Sequence, residues 1–284
     1  MIVIRVWGGI GNQLFQYSFG EYLRLKTQQE VVYDIASFGR TDKYRKLELD
    51  IINPDIPTIE NIKFSHYTGL NSRILRSFFC LNHGNKFVEE SHFAETLLSN
   101  INPSMIIYLQ GYWQKDLYPN KVLEYNPNCF IPYLEKPIEI QTIEDEIKTN
   151  IPTIALHIRR GDYYNSKNIK SLAVCTPDYY YKALNFLYEK NNNYCRTIIF
   201  SDELEWVKDN INLPQDVFFV PNYNINSFWY IYLMSCCSHN IIANSSFSWW
   251  GAYLNKNKDK IVIAPQKWII NSNKEMALPE WIKI

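Results

Sequence analysis

The stretch "TIALHIRRGDYY", residues 153–164, decides how the chain is read. Its first half, Thr153 to Ile158, is almost wholly apolar and shows no alternation of polar and apolar positions. A run of that length and kind is a strand covered on both faces. It gives way at once to two arginines, a glycine and an aspartate. Isolated buried guanidinium is costly unless it is paired, so two at one strand end need a reason.

The same run recurs downstream as "RTIIF" (196–200), "DVFFV" (216–220), "NIIA" (240–243) and "KIVIA" (260–264). Helix patterns fill the gaps: "TPDYYYKALNFLYEK", "DELEWVKDNI", "NSFWYIYLMSCC" and "SSFSWWGAYLN". In the first of these, Thr176 is placed as N-cap, Pro177 opens the first turn and Asp178 follows it. Apolar strands alternating with helices predict a parallel sheet covered on both sides. The first half opens likewise. "IVIRV" (2–6) reads as a strand, "WGGIGNQ" as a turn and "LFQYSFGEYLRL" as a helix, with Leu14, Phe15, Ser18, Phe19, Tyr22 and Leu23 on one side. "EVVYDI" (30–35) is a further strand, and "MIIYLQGYWQ" (105–114) a strand running into a loop. Residues 51–105 read as mixed and mainly helical. The charged, proline-flanked segment 132–152 marks a boundary. The expectation is an α/β protein of two Rossmann-like halves, residues 1–150 and 151–284, facing a cleft.

Composition narrows the function. Lys plus Arg equals Asp plus Glu at 29 each, so bulk attraction to nucleic acid or anionic surfaces is not expected. An anion would be met by a local pocket. The 21 tyrosines and 8 tryptophans leave aromatic surface for a flat or sugar-like ligand. No secretory leader is visible, and "FWYIYLMSCC" (228–237) is too short to cross a membrane. A cytoplasmic protein is expected, resting at most peripherally on the membrane's inner face. Six scattered cysteines, with no CxxC or Cys/His spacing, read as reduced, mostly buried thiols.

Ligands of open parallel sheets bind beyond the carboxyl ends of the strands. Three unusual loops fall there. "GGIGNQ" (8–13) holds three of the chain's 10 glycines, about half the usual glycine share. Glycine lets a ligand approach the backbone, while a tight turn with Asn12 capping the helix is the alternative. Leu14 stands where a dinucleotide fingerprint wants its third glycine, which disfavours a nicotinamide enzyme. In "HIRRGDYY" the tandem arginines point to opposite sides: one faces ligand while the other braces the domain. Guanidinium matches phosphate oxygens in a bidentate way; pairing with Asp162 is the alternative. In "NIIANSSFSWWGAYL" (240–254), small polar residues open a helix whose free amides suit an anion, or simply form a Ser cap. Together the loops suggest a diphosphate held by Arg159 and a helix terminus. No Asp-x-Asp pair occurs, so positive side chains, not a divalent metal, are expected to neutralise it. A non-catalytic sugar-binding module would account for the aromatics but not for these loops.

"GGIGNQLFQY", "QGYWQ", "HIRRGDYY", "FSDELEWV" and "NSSFSWWGAYLN…KIVIAPQKW" resemble the glycosyltransferase family 11 proteins, the α-1,2-fucosyltransferases, in order from about residue 3 to 268. The likeness is to bacterial members. It implies a GT-B fold, GDP-β-L-fucose as donor bound mainly by the second half, a terminal β-galactose fucosylated at O2, inversion and no metal. It implies Arg159 on the diphosphate, Ser246 and Phe247 on the β-phosphate, with Asn244 and Ser245 in the same loop. It also implies Asn12 and Gly11 near the diphosphate, and Ser201 and Asp202 near the nucleoside. Asp162 and His157 are candidate bases by position, with an ion pair and a core histidine as the alternatives. Trp113 is a candidate for stacking on the acceptor, a buried Trp being the alternative. Asp34, Glu21 and Tyr112 lie in the same half.

Overall fold

The computed structural model describes residues 1–60, 72–81, 83–98, 102, 104–166, 168–192, 194–214 and 216–284. The chain forms two compact units, Met1–Glu135 and Lys136–Ile284. Each is built on an all-parallel sheet.

The first unit runs β1 (Ile2–Arg5), α1 (Ile10–Thr27), β2 (Val31–Asp34), β3 (Thr58–Ile59), α2 (Ser72–Leu81), β4 (Lys86–Glu89), β5 (Ile107–Gln110) and α3 (Leu117–Tyr125). Its sheet order is β3-β2-β1-β5-β4. The apolar β1 and β2 are buried, as unalternating strands must be. The chain first winds from β1 towards β3, then crosses to the other side and returns through β5. The order therefore reverses between β1 and β5.

Between 51 and 105, where the sequence reads as mainly helical, the structure has strands β3 and β4 and two short 3-10 turns besides α2. β3 has two residues, and three of the four in β4 are only half-buried. Neither strand carries the apolar run that marks the others. The part of this stretch at 61–71 lies outside the described residues.

The second unit runs α4 (Ile138–Ile147), β6 (Thr153–Ile158), α5 (Pro177–Lys190), β7 (Arg196–Ser201), α6 (Leu204–Asn210), β8 (Val217–Phe219), α7 (Phe228–Cys236), β9 (His239–Ile241), α8 (Ser246–Tyr253), β10 (Val262–Ala264) and β11 (Ile282–Lys283). A one-turn helix, Ile169–Leu172, precedes α5. The sheet order is β11-β10-β9-β6-β7-β8. From β6 the chain builds outward through β7 and β8, then restarts at β9 on the other side. The reversal falls between β6 and β9, which pair directly through Ile154–His239, Ala155–Asn240 and Leu156–Ile241.

The units divide earlier than the boundary expected after residue 150. The charged segment is not merely a linker. In α4, Ile140, Ile143 and Ile147 are buried at helical spacing. Glu144, 1% exposed, is bonded by Lys136, by Lys148 and by Tyr232 of α7 at 2.6 Å. α8 packs closely on α7 because Gly251 has no Cβ; one would stand 2.6 Å from Cβ of Met234. All six cysteines are free thiols, only Cys80 being fully exposed.

Candidate functional site

The loops after β6, β7 and β9 gather at the reversal point of the second sheet, where an open parallel sheet receives its ligand. The β6 strand is buried through Ile158, and the backbone leaves it at Arg159. The two arginines then take different roles. Arg160 is the brace. Its Nε donates to Glu203 at 3.0 Å, and its guanidinium lies 3.5 Å from the ring centre of Trp206 and 4.1 Å from that of Tyr164. Arg159 is only partly covered, its side chain 21% exposed. Its guanidinium meets Asp202 at 2.8 Å and Asp162 on the loop itself. Burial alone would weaken its charge; the two carboxylates reverse that and raise its pKa.

Asp202 holds the loop from beneath. One oxygen accepts the backbone N–H of Arg160 at 2.9 Å, and the other takes Arg159. Gly161 sits directly over that carboxylate with φ of 21°; a Cβ there would come within 2.5 Å of Asp202 Oδ2. This is the physical reason for glycine in the arginine loop. Asp202, expected near a nucleoside, is therefore first a clamp on Arg159. Ser201 is buried, and its hydroxyl accepts the N–H of Glu203 at 3.1 Å.

The third loop is tied to the first. Tyr163 donates its hydroxyl to the carbonyl of Asn244 at 3.1 Å. The Asn244 side chain faces inward, donating to the carbonyls of Leu172 (3.0 Å) and Trp268 (2.9 Å). It shapes the loop and does not present its amide to a ligand, a correction to the donor-contact expectation. Ser245 is the N-cap of α8 and accepts the N–H of Phe247 at 3.3 Å. That amide, expected to face an anion, is thus taken by the cap. Ser246 and Phe247 themselves are half-exposed.

His157 lies on β6 opposite Phe200, 5% exposed, with its ring centre 5.5 Å from that of Phe247. Burial, assisted by the Arg159 charge, lowers its pKa to about 3. Burial and a lowered pKa are the features of the core-histidine alternative. Its Nδ1 is buried and has no hydrogen-bond partner. Asp162, the other candidate base, is engaged as a counter-ion of Arg159.

In the first unit, the loops after β1 and β5 meet at that sheet's own reversal. α1 begins at Ile10, inside the glycine motif, so Gly11 and Asn12 belong to its first turn. Gly9 is the N-cap, with no side-chain cap bond. Asn12 therefore does not cap the helix; its Oδ1 accepts from Gln114 of the β5 loop at 2.9 Å. Gly8, with φ of 83°, lets Asn12 approach; a Cβ would stand 2.9 Å from its Nδ2. Buried Gln13 bridges the carbonyls of Gly8 and Lys46, each at 2.8 Å. Trp113 is not available to a sugar. It is 1% exposed, stacked on Phe19 at 3.9 Å and edge-on to Phe93, so it is a core residue and the acceptor role is withdrawn. Asp34 is also buried, accepting from Tyr108 at 2.7 Å, while Glu21 bonds Tyr33 and Arg24. Tyr112, 40% exposed, lies against Trp7.

Sequence reasoning gave no role to Tyr163 or Glu203, which fix the loops. Both lie inside motifs singled out above, but a side chain that braces a loop through one bond has no signature of its own.

Two parallel α/β units with loops gathered at their sheet reversals have the GT-B fold of nucleotide-sugar transferases. NodZ alpha-1,6-fucosyltransferase of Bradyrhizobium, from crystals soaked with GDP-fucose, shares it with a TM-score of 0.52 at 14% identity, over 88% of this chain and 90% of that one. The chain belongs to glycosyl transferase family 11, whose model matches residues 1–284. It is 29% identical to the O-antigen biosynthesis glycosyltransferase WbnK of Escherichia coli, over 98% of both chains. It is 30% identical to an alpha-1,2-colitosyltransferase of Escherichia coli, over 100% of this chain and 99% of the relative. Galactoside alpha-(1,2)-fucosyltransferase 1 of Homo sapiens matches 46% of this chain and 38% of its own length at 27% identity. The protein is a glycosyltransferase with fucosyltransferase-like architecture and α-1,2 relatives.

Proposed function

We propose that this enzyme transfers L-fucose from GDP-β-L-fucose to O2 of a terminal β-galactose, with inversion and without a divalent metal. The observation that carries the reading is Arg159: a partly exposed guanidinium at the reversal of the second sheet, oriented by Asp202 and balanced by Asp162. A diphosphate is the natural competitor for that guanidinium, since phosphate oxygens accept from it in a bidentate way. The donor then replaces Asp162, while Asp202 keeps the side chain aimed.

In the reaction the acceptor hydroxyl attacks C1 of the sugar in line and gives up its proton to water or to a neighbouring carboxylate, the C1–O bond to GDP breaks, and negative charge grows on the β-phosphate. A positive group already fixed there stabilises the transition state more than the ground state. The Ser246 hydroxyl at the start of α8 is a second donor. The unpartnered Nδ1 of His157 is a buried polar atom of the kind that a bound ligand satisfies. Asn12 and Gly11 form the donor-side loop of the first unit. Ser201 shapes the nucleoside end through Glu203.

A second reading concerns the sugar alone. The colitosyl-transferring relative spans the whole chain, which favours a site of the same linkage with colitose in place of fucose. One experiment separates the two. The protein is incubated with GDP-fucose or GDP-colitose and a panel of β-galactosides, with and without EDTA, and the linkage is read by NMR. The fucose reading expects an α-1,2-fucosyl product unaffected by EDTA. Turnover of the colitosyl donor alone would replace it with the second reading, and loss of activity in EDTA would overturn the metal-free mechanism.

A further inference from the structure

At the carboxyl ends of the first sheet the apolar strands finish on a polar row. Asp34 of β2 lies beside Arg5 of β1, and Gln110 of β5 beside Glu89 of β4. The middle of that row is the reversal between β1 and β5, the place where an open parallel sheet takes a ligand. Arg5 stands there, half-buried, without a bonded counter-ion among the described residues. Its Nε donates to Ser37 at 2.9 Å and its Nη1 to Gln110 at 3.0 Å, both neutral acceptors. Asp34, its neighbour in register, has its carboxylate engaged by the Tyr108 hydroxyl at 2.7 Å and the Ala36 N–H at 2.9 Å. Burial lowers the Arg5 pKa, and Tyr108 and Asp34 offset that only in part. Nη2 remains as an uncommitted, charged donor.

Beside that donor is an aromatic surface. The Arg5 guanidinium lies 4.6 Å from the ring centre of Trp7, and Tyr112 packs on Trp7 at 5.0 Å between ring centres. Tyr112 stays 40% exposed, whereas Trp113 next to it is sunk in the core. The loop that presents Tyr112 is firmly held. Glu90 accepts the N–H groups of Tyr112 and Trp113 at 2.8 and 3.0 Å, and a Cβ on Gly111 would come within 2.4 Å of the Glu90 Cβ. Buried Gln16 joins the two loops: it accepts from the Trp7 N–H at 3.2 Å and donates to the Gly111 carbonyl at 3.3 Å. A fixed, exposed ring next to a convergent polar donor is how a small-molecule site is built. A small anion would need a second cation, and the neighbouring Arg76 is paired with Glu89 at 2.8 Å. A neutral sugar meets both parts. The axial O4 of β-galactose leaves the C–H groups of C3, C4 and C5 on one face, which suits an aromatic ring, while its hydroxyls accept from guanidinium. We propose that Arg5, Trp7 and Tyr112 form the acceptor-sugar subsite of the first unit, with the apolar face of the galactose on Tyr112, Trp7 backing that ring, and Arg5 Nη2 donating to a galactose hydroxyl. This rests on the β-galactoside reading above and is independent of which donor sugar the enzyme uses.

The test is steady-state kinetics of the full chain, with lactose or N-acetyllactosamine varied against GDP-fucose or GDP-colitose, whichever donor the wild type turns over. Tyr112→Ala is expected to raise the acceptor KM roughly tenfold with little change in kcat, while GDP affinity by calorimetry and the melting temperature hold. Tyr112→Phe, which keeps the ring, is expected to restore the acceptor KM. Arg5→Met is expected to raise it by about tenfold or more, through loss of a charged donor, at unchanged GDP affinity. In saturation-transfer NMR with GDP present, the same sugar is expected to be saturated most at H3, H4 and H5 of its galactose, and Tyr112→Ala to abolish that pattern. An unaltered acceptor KM in folded Tyr112→Ala or Arg5→Met, or a saturation pattern indifferent to Tyr112, would overturn the subsite and leave the β-galactoside reading standing. No product from either sugar with the wild type would overturn both.

Discussion

At the scale of the residue, the two adjacent arginines show how position on a strand end divides labour. Arg160 is stacked between Trp206 and Tyr164 and bonded to Glu203, so its loss should act through stability. Arg160→Ala is expected to lower the melting temperature by several degrees, with donor KM and kcat falling only as far as folded protein is lost. A variant with an unchanged melting curve but abolished turnover would contradict the brace. His157 makes a second prediction. Its folded pKa, near 3, lies below the ordinary 6.5, so the unfolded chain binds the proton more readily between those values. The stability that neutral His157 contributes is complete above pH 6.5 and is lost as pH falls towards 3. His157→Phe keeps a planar apolar ring beside Phe247 and should flatten the melting profile over that window. An identical slope in both proteins would exclude His157 as the source. The arginine pair, its glycine and Asp162 were legible in the sequence because their residue types are unusual at a strand end; the partners Asp202 and Glu203, 43 residues on, were not read as such. The inward turn of Asn244 was not legible, and for Trp113 the buried alternative is the one the structure has, because a motif reports where the backbone goes, not which way an amide or indole turns once neighbours compete for it.

At the scale of the element, the sheet reversals place the chemistry. The loops after β6 and β9 become neighbours only because those strands pair, and Tyr163 then bolts one loop to the other. Alternation of apolar runs and helix patterns made most of the strands readable. β3, β4 and β11 escaped because they are short, exposed edges with little apolar signal. Helix α4 escaped for another reason: its charged surface suggested a linker, while its register of Ile140, Ile143 and Ile147 carried the real information. That helix yields a further prediction. Burial opposes charge on Glu144, yet hydrogen bonds from Lys136, Lys148 and Tyr232 prevail and lower its pKa from 4.5 to about 2. Its contribution is present above about pH 4.5 and lost as pH falls through the folded value. Because the lysine ends reach solvent, Glu144→Gln should cost only roughly 1–3 kcal/mol near neutrality. It should also remove the acid-dependent loss between 4.5 and 2. If chemical denaturation at pH 7 finds the variant as stable as the wild type, the network does not hold α4 to α7.

At the scale of the molecule, two α/β units each carry a loop cluster at the carboxyl ends of their strands, and the family membership agrees with that plan. Two Rossmann-like halves were readable from the alternation of apolar runs and helix patterns, and the GT-B class only from the resemblance of five short motifs to the family. The acceptor was not, because a first unit rich in buried aromatics gives no residue-level sign of which side chains stay exposed. The central claim is that the Arg159 guanidinium stabilises the leaving diphosphate. It is tested most directly by kcat/KM for the nucleotide-sugar donor in Arg159→Ala and Arg159→Lys, each checked for an intact melting curve. The alanine variant is expected to lose roughly 10²–10³, and lysine, which cannot form the paired contact, to restore only part of it. Folded Arg159→Ala that turns over the donor at the wild-type rate would contradict the account.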